Sequence, residues 1–430
     1  MKRYEKYKDS DVDWIGKIPE SWEVRRIKTL FKEINERSFN GSEDLLSVSQ
    51  YTGVTRKSDK VEEGDLLTNA STLEGYKIVK KGDLVSNIML AWNGSLGFSP
   101  FEGITSPAYS VYRLKDSGEK QFFHYLFRTE KYKAEFKRQS SGVIESRLRL
   151  YSDDFFGIFS ILPPLSEQQS IATFLDDKTA KIDQTIAIKQ KEIELLKERR
   201  QILIQKAVTK GLDDTVKLKG SGVDWIGEIP EHWEVRKLKY VANVVLGKMI
   251  CNEDKGNYQL KPYLKSKNIQ WLELNLDSVD EMWFSEKELS QYKLNKGDIV
   301  VSEGGEVGKA TLWNDELPEC YIQNSAHKVT LHSTNNNIYH LFCFFVLGKL
   351  GVFESVVNKV SIGHLTREKL TNINFPHPSS DEQTQIVSYL EKIEEKIAKA
   401  ITLKEQEIEK LKEYKTVLID NVVTGKVRVN

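Results

Sequence analysis

The feature that most constrains this chain is a long helical signal that occurs twice. Residues 166–211, SEQQSIATFLDDKTAKIDQTIAIKQKEIELLKERRQILIQKAVTKG, contain no proline, and no glycine before the last position. Leu175, Ile182, Ile186, Ile193, Leu196, Leu203 and Ala207 recur at spacings of three, four and seven, one narrow stripe on a helix otherwise covered by Lys, Glu and Gln. Pro163 and Pro164 stop the run before it, Ser166 suits an N-cap and Gly211 a C-terminal stop. About 44 residues rising 1.5 Å each make a rod of roughly 65 Å. So long a helix with so narrow a stripe needs a partner helix. Residues 381–426 supply it: a shift of 215 aligns Leu175 with Leu390, Ile182 with Ile397, Ile186 with Ile401, Ile193 with Ile408, Leu196 with Leu411 and Leu203 with Leu418. The polar interruptions align too, Lys189 with Lys404 and Arg200 with Lys415. Two unrelated amphipathic helices are the bland alternative.

A second repeat sits ahead of each helix. VDWIGKIPESWEVRRIK at 12–28 returns as VDWIGEIPEHWEVRKLK at 223–239, matching Trp14 with Trp225, Pro19 with Pro230 and Trp22 with Trp233. Two tryptophans and a proline-led turn read as an anchor that pins a domain's entry to its core, in preference to a ligand site. The stretches 29–161 and 240–374 agree only in outline. Each has a Lys-Gly-Asp turn feeding a strand (KGDLVSNIML, KGDIVVSEGG), then a Trp, an alternating strand, an aromatic helical segment and a short apolar strand ending in proline. Each half therefore reads as anchor, mixed α/β domain, proline, long helix. The join after the first helix, VTKGLDDTVKLKGSGVDWIG, resembles the last residues, VTGKVRVN, run into the first, YEKYKDSDVDWIG. That pattern implies a circular, pseudo-two-fold arrangement with the helices paired as an antiparallel coiled coil. The division expected is a first globular domain over 1–165, a helix over 166–211, a second domain over 212–378 and a C-terminal helix over 379–430.

Composition excludes little. The 430 residues leave room for two or three domains, and Lys plus Arg, 63, equals Asp plus Glu, 63, so any basic patch must be local. Cys251, Cys320 and Cys343 are odd in number and lack metal-ligand spacing, which suits a reducing compartment. The charged N-terminus is no signal peptide, and the apolar window Tyr339–Leu350 is too short to span a membrane and suits a buried helix. A cytoplasmic protein is expected. No GxGxxG follows a strand, and no phosphate loop, HExxH or paired CxxC is present; the run Gly304, Gly305, Gly308, Lys309 ends in Ala310. No amino-methyltransferase or PD-(D/E)xK nuclease pattern occurs. The chain reads as a binding and scaffolding protein with no metal site and no catalytic residue. Two similar domains on a rod of roughly 65 Å suit a ligand with spaced sites, and half-sites on one face of B-DNA lie about 34 Å apart per turn.

The anchors and the helix entries LPPLSEQQSIATFLD and FPHPSSDEQTQIVSYL, duplicated in order over essentially the whole chain, resemble the specificity subunit of type I restriction-modification systems. The second entry departs by lacking the adjacent double proline. The resemblance implies two target recognition domains that each read one half of a split double-stranded DNA sequence. It also implies helices that set the spacer and bind two methyltransferase subunits, and a complex that recruits restriction (translocase) subunits. S-adenosylmethionine and ATP with magnesium would be used by those partners, leaving this chain without a cofactor. A scaffold spacing two protein-binding domains is the competing reading, and a stand-alone nuclease or methyltransferase a third.

Base reading and phosphate positioning need polar and cationic side chains on exposed loops. The DNA-binding candidates in the first domain are Ser49, Gln50, Tyr51, Arg56 and Lys57; Asn87, Trp92 and Asn93; and Arg138, Gln139, Ser140, Arg147 and Arg149. In the second they are Lys265, Ser266, Lys267 and Asn268; Glu303; Asn324, Ser325 and His327; and Lys359, His364 and Arg367. Arg25, Arg26, Lys28, Arg236, Lys237 and Lys239 follow the anchors and suit either phosphates or a solvated face. Ile171, Phe174, Ile386 and Tyr389 are candidate methyltransferase contacts that could equally pack on their own domains.

Overall fold

The computed structural model describes residues 2–50, 52–60, 70, 72–115, 118–357 and 363–429. The chain forms two compact units, Met1–Lys189 with Glu405–Asn430 (unit 1) and Gln190–Lys404 (unit 2). The central strands are β1 (Phe31–Ile34), β2 (Leu84–Asn87), β3 (Leu96–Phe98) and β4 (Tyr109–Leu114) in unit 1. Those of unit 2 are β5 (Ala242–Leu246), β6 (Ile299–Ser302), β7 (Ala310–Leu312) and β8 (Ala326–Leu331). The helices used below are α1 (Lys120–Leu126), α2 (Glu130–Gln139), α3 (Leu165–Lys210), α4 (Asn337–Lys349) and α5 (Ser380–Val423).

The halves that agree only in outline as sequences share one topology. Unit 1 has the antiparallel order β1-β4-β2-β3 and unit 2 the antiparallel order β5-β8-β6-β7. The Lys-Gly-Asp turns build the same strand entry. Gly82 and Gly297 take φ of 88° and 92°, conformations that disfavour any side chain. The Asp83 and Asp298 carboxylates then accept the backbone N–H of Lys80 (3.0 Å) and Asn295 (2.8 Å). In unit 1 the aromatic faces of α1 and α2 (Phe122, Phe123, Phe136) pack with Phe31, Leu84, Leu96 and Tyr112. In unit 2, α4 is buried from Tyr339 to Leu347 against Val244, Ile299, Val301 and Val329, as an all-round apolar helix must be. Beside these sheets lie a hairpin in unit 1 (Leu46–Ser49 with Gly53–Arg56) and a three-stranded sheet in unit 2 (Gln259–Leu264, Asp280–Phe284, Tyr321–Ile322).

The anchors do the same work twice. Glu23–Arg26 pairs with Phe159–Leu162, and Glu234–Lys237 with Asn374–His377, so each closes its unit onto the strand that precedes the long helix. Trp22 and Trp233 are buried, and their indole N–H groups donate to Glu167 (3.0 Å) and Glu382 (2.9 Å) in the first turns of α3 and α5. The next residue repeats as well. Gln168 donates to Pro163 O (2.7 Å) and accepts Glu119 N (2.9 Å), while Gln383 donates to Pro378 O (3.0 Å) and accepts Asn336 N (2.8 Å). The other face of each tryptophan meets the end of the other long helix, at Gly425 for Trp22 and Gly211 for Trp233, both with φ near 75°. Arg428 N donates to Lys2 O (2.8 Å) and the Tyr7 hydroxyl to Gly425 O (3.2 Å), so the two chain ends meet inside unit 1 where unit 2 has a continuous linker.

The long helices run antiparallel within each unit. In unit 1 the first half of α3 pairs with the second half of α5 through Asp183–Lys415 (2.7 Å) and Lys189–Glu407 (2.5 Å). In unit 2 Glu192–Lys404 (2.5 Å) and Arg200–Glu394 (2.7 Å) do the same. The repeated seam cations are thus interhelical ion pairs. Leu175, Ile182, Ile193, Ala207, Leu390, Ile397, Ile408 and Leu418 are buried along the seam.

Candidate nucleic-acid interface

In unit 1 the candidates fall on three segments: the hairpin, the turn after β2, and the end of α2 with the loop that follows it. The hairpin carries Ser49, whose hydroxyl pairs with Thr52 (2.9 Å), and Arg56, which pairs with Asp44 (2.9 Å) and lies over Phe101 (4.7 Å). Lys57 continues from it, its backbone N–H on Leu45 O at 2.9 Å. The Gln50 carbonyl accepts the Arg128 guanidinium, which also reaches Leu96 O on β3 (3.4 Å) and so ties the hairpin to the sheet. Arg128 was not singled out from the sequence, because nothing local marks it. Trp92 donates to Met89 O (3.0 Å) under the Lys137 ammonium (5.2 Å), and Asn93 accepts the Ser95 hydroxyl (2.8 Å). Arg138 makes a fork on Glu135 (2.7 Å twice), Gln139 donates to the same carboxylate (2.8 Å) and Ser140 to Phe136 O (2.7 Å). The loop that follows carries Arg147 and Arg149 and touches β2's exit through Leu150 N to Ile88 O (2.8 Å). Tyr51 lies outside the described residues.

In unit 2 hydrogen bonds link the candidates directly. Ser266 N donates to the Ser325 hydroxyl (3.0 Å), and the Ser266 hydroxyl donates to Ser325 O (2.6 Å). Ser325 O also accepts Glu303 N (2.8 Å). Glu303 Oε2 meets His364 Nδ1 (2.9 Å), and Glu303 O accepts Leu365 N (2.9 Å), the counterpart of the Leu150–Ile88 contact. Lys265 pairs with Asp280, whose hydrogen bond holds that ammonium above the ordinary lysine range. Lys267 donates to Ser278 (2.7 Å), Asn324 accepts from Gln323, and Arg367 is exposed at the start of a short helix. Lys359 lies outside the described residues. Lys309, which donates to Gln270 (2.7 Å), joins this rim although the sequence reading used it only to reject a phosphate loop.

Three residues expected at the surface are inside. Asn87 is buried with its carbonyl capping Met89 N (3.1 Å). Asn268 is buried with its amide on Asn275 O (2.9 Å) and Ser278 O (3.0 Å) and its carbonyl on Lys265 N (3.1 Å). His327 is buried with Nε2 at 2.6 Å from Leu365 O, and burial pulls its pKa below the ordinary histidine value. Asn87 and Asn268 cap turns from within, because a short polar side chain beside free backbone groups satisfies those first, while His327 ties β8 to the backbone at Leu365.

The basic groups after the anchors serve their own units: Arg25 and Arg236 pair with Glu23 and Glu234 (2.8 Å each), Arg26 reaches Gly157 O (2.8 Å), and Lys239 reaches Asn372 (3.3 Å). Lys28 offers its carbonyl to Lys115 (2.9 Å), and Lys237 pairs along Asn374 in the strand. Ile171 and Ile386 are buried in the cores of units 1 and 2, Phe174 packs partly on unit 1, and Tyr389 is exposed. A second apolar set, missed from the sequence, faces outward beside the seam: Ile188, Tyr414 and Val417 in unit 1, Leu195, Ile202 and Leu403 in unit 2. The seven-residue spacing of 188, 195 and 202 was its available signal. Among the described residues no His, Cys, Asp or Glu cluster could hold a metal, and no helix is long and apolar enough to cross a membrane.

A mixed α/β unit is thus duplicated and joined twice by the same anchor to a long helix, with polar and cationic loop residues in each copy. The family model for the type I restriction modification DNA specificity domain matches residues 19–198 and again 230–413, and the chain belongs to that family. It is similar to the MjaVIII specificity subunit of Methanocaldococcus jannaschii, at 27% identity over 96% of this chain and 94% of that one. It is also similar to the EcoKI specificity subunit of Escherichia coli, at 22% identity over 66% and 62%. Among solved structures, a chain described for assembly and conformational transition of a type I restriction-modification system superposes with a TM-score of 0.70, at 16% identity over 95% of this chain and 99% of that one. The HsdS subunit of Thermoanaerobacter tengcongensis superposes at 0.58, with 16% identity over 95% and 98%. These likenesses concern the fold: mixed α/β units with a long central and a long C-terminal helix.

Proposed function

We propose that this chain is the non-catalytic DNA-recognition subunit of a type I restriction-modification complex, each unit reading one half of a bipartite duplex site. The observation that carries this reading is the double match of the DNA specificity domain to two units of identical strand order. Glu303, Ser266, Ser325 and His364 offer acceptors and donors suited to base edges, while Arg56, Arg138, Arg147, Arg149, Lys265, Lys267 and Arg367 suit phosphates. The long helices set the spacer between half-sites. Their outward apolar residues, Ile188, Tyr414 and Val417 in one unit and Leu195, Ile202 and Leu403 in the other, dock one methyltransferase subunit each, since exposed apolar clusters on a solvated helix mark protein contacts. Those subunits and the restriction subunits they bring supply the S-adenosylmethionine and ATP chemistry. The test is to lengthen one long helix by one or two turns. The expected result is a changed spacer with both half-sites kept; altered half-sites with the spacer kept would sink the proposal.

A further inference from the structure

The loop after α2 in unit 1 is built differently from an ordinary surface turn. Ser141 and Arg149 exchange both backbone hydrogen bonds (2.9 Å each) and close its base. Arg147 N donates to Ile144 O (2.9 Å), and a single 3₁₀ turn over Glu145–Arg147 stiffens the return. Gly142, at φ 154°, sits where a Cβ would come within 2.6 Å of Arg147 O, so the close approach requires glycine. This frame holds Val143 99% exposed and Ile144 53% exposed at its tip. A single exposed apolar residue needs no account, but two adjacent β-branched ones on a closed loop are held in water by construction.

The surroundings say what would cover them. Over residues 135–149 the chain carries Lys137, Arg138, Arg147 and Arg149 against only Glu135 and Glu145. Glu135 is taken by Arg138 and Glu145 by Lys137, so both carboxylates are neutralised locally. The loop stands on the exit of β2, through Leu150 N to Ile88 O, beside Trp92 and Asn93. An apolar tip flanked by arginines fits a polyanion whose interior is a stack of flat apolar faces, and apolar wedges between base steps beside groove-binding cations are a known means of kinking a duplex. A loop already closed also loses little freedom on insertion.

We infer that Val143 and Ile144 form a wedge that enters the base stack of the half-site read by unit 1 and kinks it. This rests on the DNA-reading function proposed above. The corresponding segment of unit 2, ahead of Leu365, falls largely outside the described residues, so the inference concerns unit 1.

The test uses the full chain in complex with its companion methyltransferase subunit, and a duplex carrying the motif that methylome sequencing assigns to that complex. Adenines in the half-sites are replaced one at a time by 2-aminopurine, which brightens when unstacked. Besides the target adenine that each methyltransferase subunit flips out, the wild-type complex is expected to brighten at one further step, in a single half-site. Val143→Ser with Ile144→Ser, both exposed and so neutral to folding, should abolish that signal and weaken binding about tenfold or more. Val143→Leu with Ile144→Leu should restore both. A serine variant with wild-type brightening and affinity overturns the wedge while leaving DNA reading intact. So does a serine variant that loses the methyltransferase subunit but, when saturated with it, unstacks DNA normally. Methylome sequencing that assigns no motif to the complex overturns the DNA reading itself, and the wedge with it.

Discussion

Asp83 in unit 1 and Asp298 in unit 2 open the same central strand from the same turn, yet their second partners differ. Asp83 takes a fork from Arg113 on β4 (2.7 and 2.8 Å), whereas Asp298 takes the hydroxyl of Thr330 on β8 (2.5 Å). The same contrast runs through the molecule. The indole-to-glutamate bond, both glutamine bonds at each helix start and the strand order repeat. The parts above the sheet, a hairpin in unit 1 and a three-stranded sheet in unit 2, do not. What fastens a unit to the helices is held constant, and what it shows to a ligand varies.

The largest effects should come from the constant parts. Trp22→Ala and Trp233→Ala each remove a buried indole and one hydrogen bond to a first-turn glutamate, and should destabilise the mutated unit by about 3–5 kcal/mol. Urea unfolding followed by unit-specific proteolysis should show similar losses in each; a large disparity would break the equivalence of the anchors. Next, Asp83→Ala strands Arg113 and should cost unit 1 about 2–4 kcal/mol, less than a fully buried pair because Arg113 is 30% exposed. Asp298→Ala strands only a hydroxyl and a backbone N–H and should cost unit 2 about 1–3 kcal/mol by the same assay.

A smaller effect is specific to unit 2, where His232 stands in place of Ser21. Partial burial pushes the Glu382 carboxyl up, but hydrogen bonds from His232, Trp233 and Ser379 outweigh it and bring it down to about 2. An unfolded glutamate titrates near ~4.3. The folded value is the lower, so this stabilisation is complete above about pH 4.3 and is lost as pH falls towards 2. Glu382→Gln should lower unit 2's stability at pH 7 by about 1–2 kcal/mol after solvent screening and flatten its decline between pH 5 and about 2. An unchanged acid limb in urea titrations at pH 7 and 3 would remove Glu382 from the account. Smallest of all, Lys189→Ala and Lys404→Ala break symmetric, partly solvated ion pairs and should each cost under about 1 kcal/mol, less at high salt.

The same contrast explains what was legible in the sequence. Anchors and helices could be read because each is dictated by local spacing and is written twice. The role of the seam cations followed only once Lys189 met Glu407 and Lys404 met Glu192. In the Arg200–Glu394 and Lys415–Asp183 pairs the cations mirror each other but the acids do not, and no repeat announces Glu394 or Asp183. The rims were legible as clusters but not residue by residue. Polar type and loop position are shared by an asparagine that faces solvent and one, like Asn268, whose every polar atom is used by its own turn. Arg128 and Lys309 were missed because only tertiary contacts bring them to the rims.

The two units are proposed to read separate halves of one DNA site. The most direct measurement is methylome sequencing of cells expressing the chain with its companion methyltransferase subunit, as wild type and as Glu303→Ala. The expected result is a bipartite motif around a fixed gap, with the variant relaxed in one half only. A continuous motif, or a variant that alters both halves together, would contradict it.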